Sequence, residues 1–109
     1  MKEIKAFVRP NKVNVIVEQL KKQGFENISI SMAEGTGKFQ AENAFVSQKF
    51  SITNSEIAKL EIVISDKDIE LVVNIISEHG KTLYPGDGII YVSCVEKMFR
   101  VKDGFKSQE

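Results

Sequence analysis

The order of hydrophobic periods constrains this chain more than any other feature. Ile4, Ala6 and Val8 fall on one face of Ile4-Lys-Ala-Phe-Val-Arg9, which predicts a first strand. Pro10 stops it, and Asn11 is the expected N-cap of a helix over 12–23 with Val13, Val15, Ile16, Val17 and Leu20 inward. Gly24 ends that helix in the left-handed conformation. Asn27-Ile-Ser-Ile-Ser-Met32 alternates strictly between apolar and polar residues, as a half-buried strand does. A third strand follows from Ala58 to Ile64. A helix over 66–78 comes next, capped by Ser65, with Ile69, Val72, Val73 and Ile76 inward and Gly80 at its end. The fourth strand runs from Ile89 to Val95.

The resulting β-α-β-β-α-β order is the ferredoxin-like, split-βαβ pattern of the α+β class: two helices on one face of a four-stranded antiparallel sheet. The other face would carry Phe7, Ser29, Ser31, Glu61 and Val63, too apolar for a fully solvated surface, so a homo-oligomer is expected. The 109 residues suffice for one domain, 1–109, and the segment from about 103 to 109 reads as a mobile tail.

Roughly twenty residues between Gly35 and Glu56 fit neither period. Compact domains join their elements with about 4–6 residues, so a connection this long points to function. It opens with Gly35-Thr-Gly-Lys38, and a second glycine turn, Pro85-Gly-Asp-Gly88, precedes the fourth strand. Each is first of all a tight turn. Glycine also lets consecutive N–H groups face an anion without a Cβ in the way. Arg100 and Lys102, two apart on an extended stretch, would point to one side and could neutralise phosphates.

Other chemistry finds little support. Fifteen basic residues balance fifteen acidic ones, and the third strand, Leu60-Glu-Ile-Val-Ile64, lacks the stacking aromatics of RNA-binding domains of this topology; no nucleic-acid partner is expected. One cysteine and one histidine suggest no metal site; Cys94 reads as a buried thiol and His79 as a helix-end cation. No catalytic constellation can be assembled. With neither an apolar leader nor a spanning segment in view, the cytoplasm is the expected compartment.

Five segments in sequence resemble the PII signal-transduction family. They are Phe7-Val-Arg-Pro-Asn-Lys12; Asn27-Ile-Ser-Ile-Ser followed by Gly35-Thr-Gly-Lys38; Lys59-Leu-Glu-Ile-Val-Ile64; Pro85-Gly-Asp-Gly-Ile-Ile-Tyr-Val92; and Val95-Glu-Lys-Met-Phe-Arg-Val-Lys102. The resemblance implies a homotrimer that binds ATP or ADP, with AMP a further candidate, in clefts between subunits. It sets Ser29 and Val63 by the adenine, Gly35, Gly37 and Lys38 along the ligand, Gly86, Asp87 and Gly88 by the phosphates, and Arg100 and Lys102 reaching in from the neighbour. The long T-loop, about 36–56, would then grip or release a protein target, a membrane transporter or metabolic enzyme. Phe39, Phe45 and Phe50 would be its docking side chains.

The departures are specific. The lysine expected after Gly-Asp-Gly is Ile89, and the residues expected to engage 2-oxoglutarate are replaced by Ile57 and Phe39. The loop tyrosine that the family can modify is absent from Lys49-Phe50-Ser51. These losses count against 2-oxoglutarate sensing and open an alternative: a sensor of another small anion, such as bicarbonate, beside ADP or AMP, using Lys38, Lys59 or Arg100. A remoter alternative is a small acyl-phosphate hydrolase using Arg9 and Asn27, but no glycine loop surrounds that arginine in sequence.

Overall fold

The computed structural model describes residues 1–36 and 55–108. Its elements in chain order are β1 (Lys2–Val8), α1 (Val13–Lys22), β2 (Ser29–Gly35), β3 (Ser55–Ile64), α2 (Ile69–Gly80), β4 (Gly88–Cys94), β5 (Phe99–Arg100) and β6 (Gly104–Gln108). The first four strands form an antiparallel sheet in the order β2-β3-β1-β4, and the ferredoxin-like reading holds.

Alternation builds the core. Ile4, Ala6 and Val8 of β1 and Ala58, Leu60, Ile62 and Ile64 of β3 point to one face, where Ile16 and Leu20 of α1 and Val72 and Ile76 of α2 cover them. Burying the Ile, Leu and Val side chains among these contributes roughly 1.5–3 kcal/mol each, which explains why the two central strands fix the register. The edge strands overhang the helices: Ile30 and Met32 of β2 and Val92 of β4 are exposed although they share the helix-covered face.

Both helices begin differently from expectation. Pro10–Lys12 and Asp66–Asp68 form 3-10 turns, and neither they nor the helices after them have a side-chain cap. Asn11 lies inside the first turn, and Ser65 contributes its carbonyl, which accepts the Asp68 N–H at 3.0 Å, rather than its hydroxyl. The end of α1 matches expectation. Gly24 has φ +91°, the Gly24 N–H donates to the Lys21 carbonyl and the Phe25 N–H to the Leu20 carbonyl, both at 3.0 Å. That pair of bonds turns Phe25 back onto the core. Gly80 plays another part. It is the last residue of α2, is buried, and has no positive φ. A Cβ there would stand 3.3 Å from Ile16 Cδ1, so the missing side chain lets α2 approach α1.

The strands flanking the long connection extend beyond their apolar alternation. Gly35 pairs with Ser55, so Ser55 and Glu56, expected in the loop, belong to β3, and the connection spans 36–54. The ladder of backbone bonds continues here after the hydrophobic signal has stopped. A further hairpin falls where a tail was expected: β5 and β6 pair around Val101-Lys102-Asp103, with Gly104 at φ +56° and the Phe99 and Phe105 rings 4.9 Å apart, edge to face. Cys94, expected buried, is exposed at the end of edge strand β4, where no helix covers it, with Lys2 Nζ 2.9 Å from its sulfur.

Candidate functional site: two half-sites on opposite edges

The turn from Thr82 to Gly88 is built around the Asp87 carboxylate. Its Oδ2 accepts the Thr82 N–H at 2.7 Å, and its Oδ1 accepts the Thr82 hydroxyl at 2.7 Å and Arg9 Nε at 3.1 Å. A hydroxyl has one proton to give, so the 3.2 Å approach of Thr82 Oγ1 to the Tyr84 carbonyl is secondary. The same oxygen accepts the Tyr84 N–H at 3.1 Å. Arg9 Nη2 donates to the Pro85 carbonyl at 2.7 Å. Partial burial pushes the Asp87 carboxyl up, but the bonds from Thr82 and the Arg9 guanidinium outweigh it and hold the group below the usual carboxylate range.

Gly88 and Gly86 have φ of +122° and +93°. A Cβ on Gly88 would run into the Phe7 carbonyl, so glycine there permits the close approach of β4 to β1. The resemblance sets Asp87 by the phosphates through the turn; its carboxylate itself is engaged within the turn. What the turn leaves open are backbone donors. Among the described residues, no hydrogen bond takes up the N–H groups of Gly86 and Asp87.

The remaining expected contacts lie elsewhere. Ser29 and Val63 are on the helix-free face of β2 and β3, and Gly35 ends β2 roughly 20 Å from Ser29 at ordinary strand rise. The β2 edge is separated from β4 by β3 and β1, roughly 14 Å at ordinary strand spacing. One chain therefore does not bring Ser29 and Val63 together with the Gly86–Gly88 turn. Arg100 is exposed in β5, whereas Lys102 lies in the hairpin turn, where the chain reverses: the Asp103 N–H donates to the Arg100 carbonyl at 3.2 Å. The two do not share one side of an extended segment. Gly37, Lys38, Phe39, Phe45 and Phe50 lie outside the described residues.

The cleft beneath the turn, lined by Phe7, Ile76, Lys81, Asp87, Gly88 and Ile90 among others, is about 220 Å³, small beside the usual 300–1,000 Å³ of a ligand pocket. A larger depression of about 460 Å³ along Asn74, Ser77, Glu78 and His79 of α2 gathers none of the nucleotide candidates. Among the described residues, no group of three or more His, Cys, Asp or Glu is placed to hold a metal ion.

The helix-free face is semi-polar. Ser31, Lys59, Phe7 and Ile89 form one row across it, and Ser29, Glu61, Lys5 and Tyr91 the next. The Phe7 and Tyr91 rings meet edge to face at 5.9 Å, and Lys59 lies 3.5 Å from Glu61. Ile89 and Tyr91 remain exposed.

Sequence reasoning missed Thr82, and missed Arg9 as the partner of Asp87. An arginine at a strand end before proline carries no periodic signal, and Thr82 reads as an ordinary turn residue.

The family model described as "Nitrogen regulatory protein P-II" matches residues 1–104. A P-II protein of Pyropia yezoensis is 32% identical over 103 residues, covering 94% of this chain and 92% of its own. One of Rhizobium meliloti is 30% identical over 105 residues, covering 95% and 94%. "Nitrogen regulatory protein P-II 2" of Methanothermobacter thermautotrophicus is 30% identical over 105 residues, covering 95% and 91%. The chain belongs to the P-II family of signal-transduction proteins, which are regulators and not enzymes.

Proposed function

We propose that this protein is a homotrimeric regulator that binds ATP or ADP between subunits and reports the bound nucleotide to a protein target through residues 36–54. The separation of the candidate contacts carries this reading. Ser29, Val63 and Gly35 lie toward one edge of the sheet and the Gly86–Gly88 turn at the other, so juxtaposing two copies would complete a site that one chain leaves open. The free N–H groups of Gly86 and Asp87 suit phosphate oxygens, and Arg100 is exposed to supply charge. The helix-free face, with Phe7, Ile89 and Tyr91, is the surface a trimer would bury.

The names of the relatives favour nitrogen status as the pathway; a membrane transporter or metabolic enzyme is the target that the family resemblance implies. Among the described residues no helix is long and apolar enough to cross a membrane, and a cytoplasmic site of action fits this role. Isothermal titration calorimetry with ATP, ADP and AMP, paired with light scattering for mass, tests the reading. Micromolar to sub-millimolar binding at one nucleotide per chain in a trimer is expected. No binding of any of the three at millimolar concentration refutes it.

Ile57 favours a second effector other than 2-oxoglutarate. It places an apolar side chain against Gly35 at the root of the connection, where the resemblance calls for a lysine. Bicarbonate acting with ADP or AMP is the candidate to set against 2-oxoglutarate, and nucleotide affinity measured with and without each anion separates the two.

A further inference from the structure

Arg9 sits at the end of β1, where an exposed arginine beside a glycine turn would ordinarily be read as a phosphate contact. The geometry assigns it otherwise. Its side chain is only 17% exposed, and it is committed at two points: Nε to Asp87 Oδ1 at 3.1 Å and Nη2 to the Pro85 carbonyl at 2.7 Å. The guanidinium fork thus grips the turn on both sides of Gly86. Asp87, 29% exposed, is anchored from the far side by the N–H and hydroxyl of Thr82. Gly86 and Gly88 remove steric restraint from this stretch, since both adopt a φ that other residues avoid. Glycines flanking Asp87 leave the turn floppy unless something else defines it. The Arg9–Asp87–Thr82 clasp does so.

We propose that Arg9 is a positioning residue: it holds the Pro85–Gly88 turn in the conformation that presents the free N–H groups of Gly86 and Asp87, and thereby sets how strongly phosphate is held. This rests on the nucleotide reading above and deepens it. Lysine keeps the charge but lacks the planar fork, so it cannot bond Asp87 and the Pro85 carbonyl in the same geometry. A direct phosphate contact would tolerate that exchange far better. Asp87→Asn supplies the complementary cut, since an amide replaces one of the accepting oxygens with a donor. If both residues act through one clasp, their effects on binding do not add.

The test is calorimetry with ATP, ADP, AMP and adenosine on the wild type, Arg9→Lys, Asp87→Asn and the double variant. Amide NMR of Gly86 and Asp87 in the nucleotide-free proteins accompanies it. Losing a charged hydrogen bond is worth roughly a ten- to hundredfold change in affinity, so Arg9→Lys and Asp87→Asn each should weaken ATP and ADP by that factor. Adenosine binding should stay within about twofold of the wild type, the double variant should be no worse than either single one, the Gly86 amide resonance should shift in every variant, and the Asp87 amide resonance should shift in Arg9→Lys. Wild-type binding that Arg9→Lys leaves intact, equal losses for adenosine and ATP, or additive losses in the double variant would each overturn the positioning role alone. A wild type that binds none of the four ligands would overturn the nucleotide reading and this proposal with it.

Discussion

Ile57 of β3 lays its Cδ1 methyl 2.6 Å from where a Cβ on Gly35 would stand, on the helix-free face beside the last rung of the β2–β3 ladder. Gly35 does not have a positive φ, so its lack of a side chain serves Ile57 rather than the backbone. The obstructing atom is the far end of a flexible chain. Gly35→Ala should therefore cost only about 0.5–1.5 kcal/mol as Ile57 leaves its rotamer. Ile57→Ala in the same molecule should recover part of that loss. Urea denaturation of the two single variants and the double one measures both terms.

Gly88 and Gly24 both have positive φ, +122° and +91°, yet they should respond very differently to alanine. At Gly24 a Cβ would meet nothing within 4 Å, so the backbone penalty alone applies, about 1 kcal/mol. At Gly88 the same penalty is joined by a clash with the Phe7 carbonyl, which the backbone must move to relieve. A loss of more than about 3 kcal/mol or failure to fold is expected there. Comparing the two melting transitions checks the contrast.

The depressed pKa of Asp87 gives stability a pH dependence of known sign. Its stabilising contribution is present above the ordinary value, 3.8, and is lost as pH falls through the lower folded value. Asp87→Asn should thus be less stable than the wild type at pH 7. The gap should narrow below about pH 3.8 and vanish once the carboxyl is protonated in both states. Denaturant midpoints of both proteins from pH 7 to pH 2.5 follow the convergence.

Tyr91 is exposed in the row of the helix-free face that it shares with half-buried Lys5 and Glu61, and its ring packs on Phe7. If subunits bury this face, Tyr91→Arg places a charge in the contact and should shift the mass by light scattering from trimer toward monomer. An unchanged trimer places the contact elsewhere.

Periodicity made the core legible, because a buried strand or helix must repeat its apolar residues at the period of its backbone. It could not mark where backbone pairing outlasts burial, and so Ala33–Gly35 and Ser55–Ile57 were not seen as strand. Nor did it separate a central strand from an edge one. Cys94 lies in an apolar run, but β4 has a neighbour on one side only and its end escapes the helices. The Asp103-Gly104 pair is a hairpin signal that sequence reading could have used, though the strands around it are too short for an alternating pattern. Of the candidate site, the glycine turns were visible because glycine marks backbone conformation. The clasp on Asp87 was not, since long-range partners of polar side-chain ends depend on the assembled sheet.

The ladder that ends at Gly35 and Ser55 has a consequence for evolution. Residues opposite each other in an antiparallel pair stand about 5 Å apart, so the ends of the 36–54 connection are fixed by the sheet rather than by the connection. Doubling the length of such a connection adds only about 0.6 kcal/mol of closure entropy. Whole residues can be gained or lost between these anchors without disturbing the register behind them. The length of this connection is thus a nearly free variable, open to change without cost to the sheet that anchors it.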